Sequence, residues 1–288
     1  MDKLDKILLK VNFLKKKNYL HAIQLLNDAI LQFPDNYDLY FEAATIYSNH
    51  KFNRKALEMY SKALTIKPDN ENIYFLMGNN FLALEEYQLA IDYFSKIRET
   101  YPELIYNKAY AYSKLGKIEI SIDLMENLVE NYSTSEIPYL FLSELHFLKK
   151  EYEMALKYLD DAERRFGRRG SFHYLKGAAF SHLENWLKAY IEFNEADKFH
   201  VDFPHFYRSY AISAEKIGHT EQAIDLLNKN LETEPDDPLT YIELIKIYID
   251  HDELDKAQKL LQEAQPIVSL PFQFTVLYKQ LIEKMRLK

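Results

Sequence analysis

Cysteine is absent from the 288 residues, which excludes a disulfide framework, a thiolate zinc site and a cysteine nucleophile. That absence fits a reducing compartment. Glycine is scarce as well: there are six, and Gly78, Gly116, Gly177 and Gly218 fall at fixed places in a repeating frame, so helix breakers serve as punctuation. No Asn-Gly or Asp-Gly hairpin signal occurs, and no window alternates apolar and polar over a strand length without also fitting the helical period. Essentially no sheet is expected. Long apolar runs are also missing. Lysines interrupt the opening MDKLDKILLKVNFLKKK, which lacks the unbroken stretch of a secretory signal, and no later segment approaches a membrane span. A soluble, cytoplasmic protein is expected, and membrane association is disfavoured. Positive charge is in deficit, 36 Lys and Arg against 44 Asp and Glu for a formal −8. That balance argues against nucleic acid, whose phosphate backbone demands clustered lysine and arginine.

What the chain does have is a period. Ala22, Ala56, Ala90, Ser121, Ala155, Ala189, Ala223 and Ala257 are separated by 34, 34, 31, 34, 34, 34 and 34 residues, a register that chance does not keep. The clearest copy runs from Glu71 to Pro102 and carries Tyr74, Gly78, Phe81, Tyr87, Ala90 and Phe94. Its pattern is two short amphipathic helices with a turn between them.

This pattern resembles the tetratricopeptide repeat. The resemblance implies an all-α fold, a right-handed α-solenoid of helix pairs. Eight tandem units are expected over 3–36, 37–70, 71–101, 102–135, 136–169, 170–203, 204–237 and 238–271, followed by a capping helix over 272–288 whose apolar stripe includes Phe272, Val276, Leu277 and Leu281. Small residues at Ala44, Gly78, Ala109, Ser143, Gly177 and Ala211 should let backbones approach, with aromatics filling the wedge beside them. Pro34-Asp35-Asn36, Pro68-Asp69-Asn70 and Pro235-Asp236-Asp237 should each end one helix and cap the next, and Pro238 suits a first helical position. The short interval is expected to lose its three residues between Pro102 and Gly116.

A search for catalysis returns nothing: no Gly-rich phosphate loop, no His-Glu-x-x-His and no Ser in a nucleophile-elbow context. His146 reads as a packed core imidazole with one hydrogen-bond partner, and the many carboxylates read as solvated helix faces. No enzyme activity, cofactor or metal is expected.

The resemblance implies a binding scaffold whose first helices line a concave groove. The residues facing it are expected to be Phe41, Thr45, Phe75, Asn79, Tyr106, Asn107, Tyr110, Leu140, Glu144, Tyr174 and Arg208, an aromatic ladder with polar groups that suits a peptide segment or helix of another protein. Glu144 and Arg208 suggest a ligand with one basic and one acidic point. The variant of the repeat that holds the C-terminal acid of heat-shock chaperones needs basic residues where this chain has Phe75, Ile137 and Phe141, so chaperone-tail binding is disfavoured although Asn79 and Asn107 match. A second anion site is considered at Arg164, Arg165, Arg168 and Arg169, since arginine presents a planar donor fork. The alternative to an adaptor is a self-assembling protein that forms homo-oligomers through its end helices, suggested by Leu4, Leu8 and Leu14 and by the high aromatic content.

Overall fold

The computed structural model describes residues 3–132, 135–264 and 271–287, and among them it has 17 helices and no strand. The chain divides into two compact bodies, Met1–Thr134 and Ser135–Lys288. The first holds α1 (Lys3–Leu14), α2 (Tyr19–Gln32), α3 (Tyr37–Asn49), α4 (Asn53–Ile66), α5 (Glu71–Ala83), α6 (Tyr87–Phe94), α7 (Pro102–Lys114) and α8 (Ile118–Tyr132). The second holds α9 (Ile137–Leu148), α10 (Tyr152–Phe166), α11 (Gly170–His182), α12 (Trp186–Asp197), α13 (Phe206–Lys216), α14 (Thr220–Thr233), α15 (Pro238–Asp250), α16 (Leu254–Ala264) and α17 (Pro271–Leu287).

Packing follows the period. Ala22, Ala56, Ala90 and Ser121 in the first body, and Ala155, Ala189, Ala223 and Ala257 in the second, are all fully buried. Four residues further on in their helices, Tyr60, Phe94, Leu159 and Phe193 are sealed from solvent as well. These large side chains need room on the facing helix. Gly78 and Gly177 supply it, since a Cβ on either would collide with the ring of Phe94 or Phe193. Gly116 and Gly218 act differently, turning the chain between paired helices at φ +73 and +82, where a side chain would be strained.

The caps also follow from local chemistry. Asn36 accepts from the Leu39 amide, Asn70 from Ile73 and Asp237 from Leu239, so each satisfies a free helix-start N–H. Asn70 also donates to the Tyr37 hydroxyl at 2.9 Å, which ties α5 to α3.

The short interval lies elsewhere than expected. Helix α7 keeps 13 residues and opens on Pro102, whereas α6 has 8, against 14 for α4 and 15 for α8. The missing turn comes from the end of α6, before Pro102, and Pro102 starts a helix because its fixed φ and absent N–H cost nothing at a first position. Beyond Phe94 the turn folds Ile97 into the core with Ala90, Phe94 and Leu104. In the second body α17 lays Phe274, Leu277 and Leu281 on the apolar faces of α15 and α16, leaving Phe272 and Val276 exposed. Residues 265–270, the last stretch of the expected eighth unit, lie outside the described residues.

Candidate functional site

In the first body, α3, α5 and α7 each contribute to one row of half-buried side chains. Phe41 packs on Tyr37 and Tyr60, with ring centroids 5.7 and 6.1 Å away. Thr45, one turn on, spends its hydroxyl on the Phe41 carbonyl at 2.9 Å. Phe75 lies 5.9 Å from Phe94 and 5.5 Å from Tyr101. Tyr106 is half-buried, and Tyr110 meets the edge of Tyr87 at 6.4 Å with Lys114 over its ring.

Two amides sit among these rings. Asn107 donates from Nδ2 to Asn79 Oδ1 at 2.8 Å, joining α7 to α5. A side-chain amide has two donor hydrogens and an acceptor oxygen, so the bond leaves the Asn79 NH₂ and the Asn107 oxygen with capacity for a ligand. A peptide bond needs just that complement.

Of the expected site residues of the second body, Tyr174 and Arg208 are engaged within the chain. Leu140 is half-buried and Glu144 exposed on α9. Tyr174 is stacked on Phe203 at 4.4 Å and also faces Phe193 and Phe206. Burial pushes its hydroxyl above the usual phenol value, partly offset by Arg208. Arg208 is not a free cation: its Nε lies 3.1 Å from Asp237 Oδ2.

The four arginines of the expected anion site are likewise engaged within the chain. Arg164 pairs with Asp161, Arg165 lies over the Tyr139 ring at 5.7 Å, Arg168 pairs with Glu195 and Arg169 lies 3.6 Å from Glu136.

Sequence reasoning missed a buried charge cluster between α10, α11 and α12. Lys176, 5% exposed, reaches Asp160 and Glu163 at 2.5 Å each. Burial opposes the ammonium, and the two carboxylates more than offset it, holding Lys176 above the usual lysine value. Burial also works against Glu163, yet Lys176, His173 and Arg168 together hold its carboxyl low. His173 joins through Nδ1, 2.7 Å from Glu192. The signal present in the sequence was a lysine and a histidine at register positions where most other units carry apolar or aromatic residues. His146 is the packed imidazole expected: it is 5% exposed, its Nδ1 bonds Glu151 at 2.7 Å and its ring stacks on Tyr158.

Among the described residues, His205, Glu234 and Asp237 offer atoms within 4.8 Å of one another that could face a cation. Asp237 Oδ2, however, already accepts from Thr240 at 2.6 Å and faces Arg208, so the cluster is neutralised from within.

Comparison with known proteins agrees with this architecture. Tetratricopeptide repeat family models match residues 37–70, 73–104, 103–135 and 218–268, together about half of the chain. The chain belongs to the tetratricopeptide repeat family. A TPR repeat-containing protein of Methanocaldococcus jannaschii is 27% identical over 241 residues, 77% of this chain and 41% of that protein, so the chain spans less than half of that relative's length. The C-terminal part of a TPR repeat-containing protein from Cytophaga hutchinsonii superposes with a TM-score of 0.67 at 18% identity, over 79% of this chain and 95% of that one. The TPR protein YrrB does so with a TM-score of 0.50 at 20% identity, over 60% of this chain and 91% of its own. The fold is thus the all-α solenoid of paired helices typical of protein-interaction scaffolds, and no helix among the described residues is long and apolar enough to cross a membrane.

Proposed function

We propose that this TPR chain is a non-catalytic adaptor that binds an extended peptide segment of another protein along α3, α5 and α7. The carrying observation is the Asn79–Asn107 pair set among Phe41, Phe75, Tyr106 and Tyr110. Rings supply contact area at small entropic cost, and an amide pair with one donor side and one acceptor side holds a peptide backbone whatever its sequence. YrrB is described as having a peptide-binding site, which supports the same class of ligand here. The proposed surface is confined to the first body; Leu140, Glu144, Tyr174 and Arg208 belong to the second body and are left out, Arg208 being paired with Asp237.

The test is capture from native extract by wild type and by Asn79→Ala/Asn107→Ala, with thermal melts in parallel. Phe75→Ala/Tyr106→Ala serves as a second variant, although Phe75 also packs on Phe94 and Tyr101 and its loss lowers stability. A protein held by wild type and lost from both variants at unchanged helix content supports the reading. Equal capture by all three forms removes it.

A further inference from the structure

Helix α1 turns more apolar surface to solvent than its packing requires. Val11 is fully buried, and Leu4, Ile7, Leu8 and Leu14 pack against the core that α1 shares with α2 and α3. The stripe that holds the helix is therefore complete, and its leucines are spent inside the chain. Leu9 and Phe13 lie one turn apart on the opposite side, 56% and 61% exposed. A helix that only solvated the end of the body would carry polar residues there, as it does at the exposed Asp5 and Asn12.

The charge around these two side chains is mostly of one sign. Lys6 and Lys10, themselves a turn apart, run beside Leu9 and Phe13, and the Lys17 ammonium lies 4.4 Å from the centre of the Phe13 ring. Lys6, Lys10 and Lys16 are exposed and have no ion pair or hydrogen bond among the described residues. Asp5 is the single acid of α1, against three lysines. Six lysines and two aspartates occupy the first twenty residues of a chain whose formal charge is −8, so this end is basic within an acidic protein.

We propose that this face of α1 docks the protein on the surface of an anionic lipid bilayer. Leu9 and Phe13 enter the headgroup layer, and Lys6, Lys10, Lys16 and Lys17 meet the negative headgroups. Surface attachment of this kind needs no membrane span. It goes beyond the peptide site on α3, α5 and α7 and does not depend on it. Charge complementarity selects the occupant. A second copy of the same face would set lysine against lysine, which repels. An acidic protein segment held at a defined site calls for the planar, bidentate fork of arginine, and the first arginine of the chain is Arg54. Ammonium groups on flexible stems suit laterally mobile headgroups instead, because the stems let the charge stay at headgroup level while the apolar side chains go deeper.

The experiment is co-sedimentation of the full chain with vesicles, equimolar phosphatidylserine and phosphatidylcholine in one arm and phosphatidylcholine alone in the other. Wild type should sediment with the anionic vesicles, be released by added salt, and stay in the supernatant with the neutral ones. Lys6→Glu/Lys10→Glu should lower the anionic partition coefficient roughly tenfold or more, and Leu9→Ser/Phe13→Ser should lower it about as far. All four positions are exposed, so thermal melts should match wild type. Should either variant fold poorly, Phe13→Trp in a Trp186→Phe background, Trp186 being the sole tryptophan, should show an emission shift to the blue with anionic vesicles only. Equal sedimentation with both vesicle types, or with neither, overturns the proposal, as does wild-type binding by both double variants. Poly-L-glutamate is the competing probe: binding to it that both double variants lose, without binding to vesicles, assigns the face to an acidic polypeptide and overturns the lipid assignment. A dimer seen by light scattering without lipid and lost from Leu9→Ser/Phe13→Ser assigns it to a second copy and does the same. Asn79→Ala/Asn107→Ala should sediment as wild type does, so failure here and failure of the peptide site are separable.

Discussion

The ring of Phe193 lies so close to Gly177 that a Cβ on the glycine would sit 2.7 Å from Cδ1 of the ring. Phe94 stands in the same relation to Gly78. Both rings are fully buried, so neither can withdraw without moving a helix. Gly177→Ala and Gly78→Ala should each cost about 1–3 kcal/mol through overpacking, as should Ala90→Leu, whose site is also sealed. Urea unfolding monitored by circular dichroism gives the measurement, and a neutral Ala90→Leu would show that helices do not cross there.

Removing Lys176 should expose the opposing charges of its cluster. Lys176→Met leaves Asp160 without its cation and Glu163 with only the more distant Arg168 and His173, at a cost of about 1–2 kcal/mol once the partial exposure of both acids is discounted. The pH dependence has a definite sign. Glu163 is held low in the fold, so its contribution is present above the unfolded carboxyl value and is lost as pH falls through the lower folded value. Lys176 is held high, so its contribution persists below the unfolded lysine value and disappears as pH rises through the folded one. The stability gap between wild type and variant should be widest near neutrality and close at both ends.

Lys108, half-buried on α7, predicts the opposite trend. Its folded pKa is depressed by burial, so the unfolded chain binds more protons between the two values and stability rises with pH there. Lys108→Met should therefore stabilise the chain at neutral pH, with a gain that shrinks as pH climbs toward the ordinary lysine value. A melt series at several pH values checks the slope.

Caps can be tested singly. Asn36→Ala and Asn70→Ala should each lose about 1 kcal/mol, the usual worth of a helix N-cap. Asn70→Ala should lose more, because that residue also holds the Tyr37 hydroxyl. Differential scanning calorimetry would separate the two.

The parts of this fold that were legible in the sequence are those set by a strict period. Ala22 to Ala257 marked the crossings, and the Pro-Asp-Asn turns marked the caps, because backbone approach and orphan N–H groups admit few residue types. The position of the shortened helix was not legible. An interval of 31 between Ala90 and Ser121 says how many residues are gone but not from which element, and Pro102 can end a helix or begin one. The site was half legible. Spacing picked out Asn79 and Asn107, but could not show that they bond each other. Nor could it show that Arg208 and the arginines from Arg164 to Arg169 would be claimed by acids and a ring of their own chain. Most of those pairings join side chains distant in sequence, as in Arg168 and Glu195, 27 residues apart, and a frame of helical positions carries no information about them.

The brevity of α6 bears on how the first body opens. Eight residues close few internal hydrogen bonds, and a helix that short is marginal on its own, so α6 is held chiefly by burying Ala90, Ile91 and Phe94. In a stack whose members are coupled only to their neighbours, such an element is where the cooperative chain parts first. Its amides should exchange with solvent sooner than those of α4 and α8, through an opening that frees the junction with α7 while the flanking helices stay folded.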